Sequence, residues 1–182
     1  MQRARLRAAR PFLLSNGGPT LDVGCGLTDL PGSIGDYVGC DRHPEVLAAC
    51  RARFPRARFL PWDVAASVPP PAVVACGPYA SILVLALLEH LASPGEALAR
   101  MAPLLAEGGR VILTTPHPWA RFPLEAGAAL RLLSRHAAGE HETLLGRSGL
   151  GTIAREAGLI VTAYRRFLLG LNQVAVLERT VH

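Results

Sequence analysis

The sequence predicts an α/β fold, a mostly parallel sheet with helices on both faces, and three observations carry that reading. Short apolar runs alternate with segments of helical periodicity along most of the chain. One run, Ala80 to Leu85, shows no polar alternation after Ser81, as a strand covered on both sides requires. Near the end, two strand-like runs, Leu159 to Phe167 and Gln173 to Arg179, are joined by a link too short for a crossover, so they pair antiparallel.

Thr20 to Val23 reads as the first strand and Tyr37 to Cys40 as the second. Glu45 to Phe54 follows Pro44, which suits the first turn of a helix, and sets Val46, Leu47 and Cys50 on one face. Ala57 to Leu60 is a brief third strand and Ser81 to Leu85 the fourth. Pro94 to Leu105 is a helix, with Ser93 as its expected cap and Glu96 three residues on; Gly108-Gly109 is expected to stop it, and Arg110 to Thr114 is the fifth strand. Residues 116–147 are less regular: Pro116, His117, Pro118 and Trp119, a helical stretch from Leu124 to Arg135, then His136 to His141. This segment is expected to form a lid over the end of the fifth strand, within one domain spanning residues 1–182. Leu150 to Ala157 is a further helix, which Gly158 ends.

A chain of 182 residues, half of them hydrophobic, has room for a real core and is neither disordered nor fibrous. No apolar run reaches the length needed to cross a bilayer, so no membrane partner is expected. Arg3, Arg5, Arg7 and Arg10 head the chain, but only PFLL follows before Asn16-Gly17-Gly18, too little for a signal-peptide core. The segment therefore reads as a solvated helix packed beside the domain, in a cytoplasmic protein. The formal charge is +5, and nineteen arginines with no lysine supply the positive side. Their scatter fits the codon preference of a GC-rich genome better than a nucleic-acid surface, so nucleic acid is not expected as a partner. Cys25, Cys40, Cys50 and Cys76 form no CxxC, and no His/Cys cluster has zinc-ligand spacing, so no metal is assigned. Reduced thiols fit best; Cys25 and Cys40, on neighbouring strands, leave a disulfide as the alternative.

Gly24 and Gly26 bracket the end of the first strand, where a ligand can approach backbone without meeting a side chain. Asp41 ends the second strand, seventeen residues after Gly24, where a carboxylate can accept from ribose hydroxyls. A dinucleotide fingerprint would place a third glycine where Asp29 stands, and an acid there opposes a pyrophosphate, which disfavours NAD.

The stretches LDVGCG, YVGCD, FLPWDV, SILVLALLEHL and SPGEALARMAPLLAEGGRVILTTPHP, with the tail AGLIVTAYRRFLLGLNQVAVLER, occur in the order found in one family. Over residues 19–180 the sequence resembles the class I S-adenosylmethionine-dependent methyltransferases, in their small single-domain bacterial form. The resemblance implies a Rossmann-like sheet of seven strands with an antiparallel last strand, and S-adenosyl-L-methionine as cofactor. It implies a role for Asp22 near the ligand's ammonium and for the amides around Gly24, Cys25 and Gly26 near its carboxylate. Asp41, with Arg42 beside it, would take the ribose. Asp63 and the amide of Val64 would meet the adenine, and the carbonyl of Leu85 would touch the ligand.

The sequence departs from the family pattern in three places. Thr28 replaces the usual third glycine, and Ala80 the usual acid early in the fourth strand. Leu27 to Asp36 leaves ten residues for the first helix, with Pro31, Gly32 and Gly35 among them, so one or two turns or none are expected. A similar truncation occurs in a bacterial branch of the family associated with sugar modification.

Methyl transfer is an in-line displacement in which alignment supplies much of the rate, and a base helps when the acceptor is a hydroxyl or an ammonium. His90, His117 and His141 lie where an acceptor would approach and are the candidate catalytic residues. Glu89 reads as a capping or pairing residue, and Trp119 as an acceptor wall or lid packing. The absence of an Asn/Asp-Pro-Pro-aromatic motif after the fourth strand argues against base-amine methylation. The expected acceptor is a small molecule or a glycan-type hydroxyl or amine. The rival readings are a non-catalytic S-adenosylmethionine-binding module, motivated by Thr28, Ala80 and the clipped helix, and an RNA methyltransferase, motivated by the charge and Arg165-Arg166.

Overall fold

The computed structural model describes residues 2–14, 18–120 and 145–180. Seven strands form one sheet: β1 Thr20–Val23, β2 Tyr37–Asp41, β3 Arg58–Pro61, β4 Tyr79–Leu85, β5 Leu105–Pro116, β6 Leu159–Phe167 and β7 Asn172–Arg179. Their spatial order is β3-β2-β1-β4-β5-β7-β6. The first five run parallel, and β7 lies antiparallel between β5 and β6. The link from β6 to β7 turns through three left-handed residues, Leu168, Leu169 and Gly170, which is how so short a segment reverses the chain.

Strand alternation divides the core in two. Leu21, Val23, Ile82, Val84, Val111 and Leu113 face α4 (Pro94–Met101) and α5 (Arg147–Glu156). Leu83, Ile112 and Val174 face the other way, with Leu47 and Cys50 of α2 (Pro44–Arg53) and Ala8 and Ala9 of α1 (Gln2–Ala9). Helices on both faces explain why β4 shows no polar alternation. Leu21, Ile82 and Leu83 are fully buried, and such burial stabilises by about 1.5–3 kcal/mol per side chain. The arginine-rich start is a helix packed against the sheet, as expected. A short helix, α3, covers Pro71–Val74.

The region of Leu27 to Asp36 holds no α-helix; a single 3-10 turn, Leu30–Gly32, takes its place. Thr28, in the third-glycine position, builds that turn: its hydroxyl accepts the Leu30 N–H at 3.1 Å. Ala80 is simply buried, and its N–H donates to the Pro19 carbonyl.

One expected element is corrected. The helix starting at Pro94 ends at Met101 and passes through a 3-10 turn, Ala102–Leu104, because Pro103 has no N–H to continue it. Ser93 makes no side-chain cap, and Glu96 pairs instead with Arg100, one turn on, at 3.0 Å. Strand β5 therefore begins at Leu105, and Gly108-Gly109 lies within it. The register passes from Tyr79↔Leu105 to Ser81↔Arg110, so the glycines form a bulge. Gly108 takes φ +67°, and a Cβ on Gly109 would come within 2.8 Å of the Tyr79 carbonyl. The expected stretch Leu124 to Arg135 lies outside the described residues.

Candidate functional site

The carboxyl ends of β1, β2 and β4 converge, and the glycine turn sits among them. Gly24 and Gly26 both take left-handed φ, +69° and +53°. A Cβ on Gly24 would meet Leu87 Cδ1 at 2.9 Å, whereas nothing lies within 4 Å of one on Gly26. The turn is thus closed on its Gly24 side by Leu87 and open on its Gly26 side.

The turn is held by β2. The Cys25 N–H donates to the Cys40 carbonyl at 2.9 Å, and the Gly26 N–H to Asp41 Oδ2 at 3.0 Å. The amides expected to face a ligand carboxylate therefore already have protein partners. Asp41 Oδ1 accepts from the His43 N–H at 3.0 Å and lies 2.9 Å from the His43 ring Nδ1. Burial raises the Asp41 pKa, but the His43 amide, the His43 ring and the Gly26 amide more than offset this, and the carboxyl lies below its ordinary value. Arg42 is exposed beside it.

Asp22 is only 2% exposed and lies on the face shared with α1 and α2. Its Oδ2 accepts from the Tyr37 hydroxyl at 2.7 Å. Burial, the dominant cause, pushes the carboxyl up to about 7; the Tyr37 bond opposes this and the nearby Asp41 charge adds to it. The four cysteines are free thiols. Burial pushes Cys25 and Cys40 well up, which makes both poor nucleophiles.

Asp63 follows β3, on the strand neighbouring Asp41; the Trp62 N–H donates to the Asp41 carbonyl at 3.1 Å. Asp63 Oδ1 accepts the Ala65 N–H at 3.0 Å, closing a turn, and Val64 is buried with its carbonyl on Arg100 Nη1 at 2.8 Å. Leu85 ends β4. The next residue, Ala86, sits at φ +57°, a strained conformation for a side-chain-bearing residue, and donates to the Thr114 carbonyl at 2.8 Å.

Beyond that turn lies Glu89, expected only to cap or pair. Glu89 is 1% exposed, and its Oε2 has no hydrogen-bond partner. Burial raises its pKa, opposed by its own amide, His90, the Thr115 hydroxyl and Arg5. The Thr114 hydroxyl, and Asn172 Oδ1 on the strand paired with β5, are also buried without partners. What betrays Glu89 is its place just past an all-apolar strand end, in the 3-10 turn Leu88–His90, where Leu88 is buried beside it. His90 is exposed beside it.

His117 lies on the hairpin side of β5. Its N–H donates to the Leu171 carbonyl at 2.9 Å, its ring meets Trp119 edge-on at 5.5 Å, and Arg166 lies over Trp119 at 4.4 Å. Nδ1 accepts the Trp119 N–H at 3.2 Å, which leaves the ring proton on Nε2. Burial first, then Arg166, lowers its pKa. His141 and most of the expected lid lie outside the described residues.

A family model described as a methyltransferase domain matches residues 1–164. The chain belongs to that methyltransferase family. The class I, S-adenosylmethionine-dependent character expected from the motifs stands with it, as does the Rossmann-like sheet. No curated protein matches this methyltransferase by sequence. Among solved structures, it is similar to an S-adenosylmethionine-dependent methyltransferase from Mesorhizobium loti, with TM-score 0.75 and 15% identity over 97% of this chain and 98% of that one. It is also similar to a TehB-like methyltransferase from Corynebacterium glutamicum, with TM-score 0.69 and 18% identity over 97% and 88%. A third is the magnesium protoporphyrin IX methyltransferase of Synechocystis with bound S-adenosylhomocysteine, with TM-score 0.71 and 15% identity over 98% and 83%. Among the described residues, no helix of this methyltransferase is long and apolar enough to cross a membrane.

Proposed function

We propose that this methyltransferase acts on a hydroxyl or amine of a small-molecule or glycan-type acceptor, and that Glu89 belongs to the acceptor side of its site. The cofactor supplies a methyl group already activated by a positive sulfur. The residues present fit it. The open face of Gly26 leaves room that a side chain would fill, and Asp41 stands at the adjacent strand end. Three of the roughly four lone-pair sites of the Asp41 carboxylate are occupied, so a ribose diol needs one more to be freed. The half-exposed His43 ring is the partner that can leave. Asp63 and Val64, on the next strand end, and Leu85 across the turn complete the set of residues assigned to the cofactor.

The observation that carries the acceptor assignment is the set of buried polar atoms without partners around the ends of β4, β5 and β7: Glu89 Oε2, the Thr114 hydroxyl and Asn172 Oδ1. Burying such atoms without partners is unfavourable, and a polar acceptor would relieve it. A carboxylate with a raised pKa can take the proton that a hydroxyl or ammonium must lose. His90, beside it, is the nearer histidine for proton exchange with solvent. His117, with its proton on Nε2, is better suited to orient an acceptor oxygen by donating to it.

Release of S-adenosylhomocysteine with a panel of sugars, phenols and amines tests this. At least one acceptor is expected to turn over, and Glu89→Gln to lower kcat by about 10²-fold. The wild-type rate should fall as pH drops through the raised Glu89 pKa, and Glu89→Gln should lose that acid limb. Full activity and an unchanged pH profile in Glu89→Gln would remove Glu89 from the chemistry.

A further inference from the structure

We propose that the space left by the missing first helix binds a compact organic anion, an aryl or short-alkyl phosphate or carboxylate. A cavity of about 240 Å³ lies between α1 and the Leu30–Gly32 turn. Its apolar surface includes Leu6, Leu30 and Leu83, and its rim carries Arg3, Arg7 and Arg10. Arg3 and Arg7 lie one turn apart on α1, Arg10 opens the 3-10 turn that follows it, and all three line this one cavity.

Charge pairing distinguishes this cavity from its neighbour. On the other side of the same turn, a cavity of about 400 Å³ is lined by Arg53, Arg56 and Arg58. There Arg53 lies 2.6 Å from Asp29 and Arg58 4.0 Å from Asp36, so two of the three already face an acid. Among the described residues, Arg3, Arg7 and Arg10 have no carboxylate partner. Three like charges within two turns repel one another, and an anion between them relieves that repulsion. The guanidinium fork matches carboxylate and phosphate oxygens in paired hydrogen bonds. The leucine surface asks for an apolar body as well as a charge. An apolar cavity of about 150 Å³ accommodates benzene, so one of this size has room for a ring and its charged group. Leu83 pairs with Asp22 in the sheet and lies two residues before Leu85, so the cavity sits on the sheet face beneath the glycine turn and away from the strand ends.

Calorimetric titration of the full chain with phenyl phosphate, benzyl alcohol and inorganic phosphate tests the proposal. Saturable one-site binding of phenyl phosphate is expected, at least about tenfold tighter than either control. The combined Arg3→Ala, Arg7→Ala, Arg10→Ala variant should lose about tenfold or more in affinity, and the matching substitution of Arg53, Arg56 and Arg58 should leave it unchanged. Ser33 also lines the cavity, so Ser33→Phe should abolish binding by filling it. If the triple variant does not fold, the three-probe comparison on the wild type decides. Inorganic phosphate binding as tightly as phenyl phosphate would reduce the site to a charged patch and overturn the proposal. Equal binding of benzyl alcohol, no saturable binding at millimolar phenyl phosphate, or loss of binding in the Arg53 set would overturn it too.

Discussion

Asp22 is held out of water in the middle of the sheet with a hydrogen bond from Tyr37, and its raised pKa ties stability to pH. Between its ordinary value of 3.8 and about 7, the unfolded chain has lost this proton while the folded chain keeps it. Stability therefore falls as pH rises through that window. Asp22→Asn keeps an acceptor for Tyr37 and carries no charge. It should raise unfolding stability at pH 8 by on the order of 2–4 kcal/mol, with little effect at pH 4, as denaturant melts at the two pH values would show. The same change should weaken S-adenosylmethionine binding if the carboxylate faces the ligand ammonium, so the wild type would trade stability for affinity. The place of Asp22 was legible from LDVGCG, but its partner was not. Tyr37 reaches it because Gly39, which pairs with Asp22, has no side chain: a Cβ there would meet the Phe59 ring at 2.7 Å and the Tyr37 ring at 3.1 Å. A glycine inside a strand is a signal of such close approach, and YVGCD carried it. His43 was missed for a similar reason, since its ring meets Asp41 through the backbone turn before α2 and not through any sequence spacing.

At the scale of elements, local signals were read well where one residue decides the outcome. Pro31, Gly32 and Gly35 forbid a first helix and none forms; Gly158 ends α5 with φ +71°. The pair Gly108-Gly109 bulges β5 and does not stop a helix, because the same dipeptide can do either and only the partner strand distinguishes them. Pro103 had already ended the helix, so the glycines serve β5. This gives the two positions different sensitivities. Gly109 faces the backbone of Tyr79 and Ala106, which cannot move aside, so Gly109→Ala should destabilise by about 1–3 kcal/mol. Gly108 has open space and only a left-handed φ, so Gly108→Ala should destabilise by about 1 kcal/mol. Urea titrations of the two variants rank them, and a larger loss at Gly108 would refute the bulge as the reason for the pair.

The proposed site lies where an open α/β sheet leaves room, outside the carboxyl ends of β1, β2 and β4, next to the point where the strand order reverses. Sequence motifs locate that edge because each strand end carries its own signature. They do not show how the edge is occupied without a ligand, since Leu87 on Gly24, the Gly26 amide on Asp41 and the buried Glu89 come from strands distant in sequence. This arrangement makes a prediction for the folded chain as a unit. Asp41 joins the glycine turn to β2, so a ligand that engages it should stabilise the whole sheet. S-adenosylmethionine at about a hundredfold above its Kd should add about 2.7 kcal/mol. For a chain of this length that corresponds to a rise in melting temperature of roughly 5–11 °C. Asp41→Ala should shrink the rise at the same ligand concentration, because losing charged hydrogen bonds weakens binding by about 1–3 kcal/mol. His43→Ala should keep the rise or enlarge it, because its ring then no longer competes for the carboxylate. A full rise in Asp41→Ala would remove that carboxylate from the cofactor site, and a lost rise in His43→Ala would make the imidazole a contact that the ligand needs and does not displace.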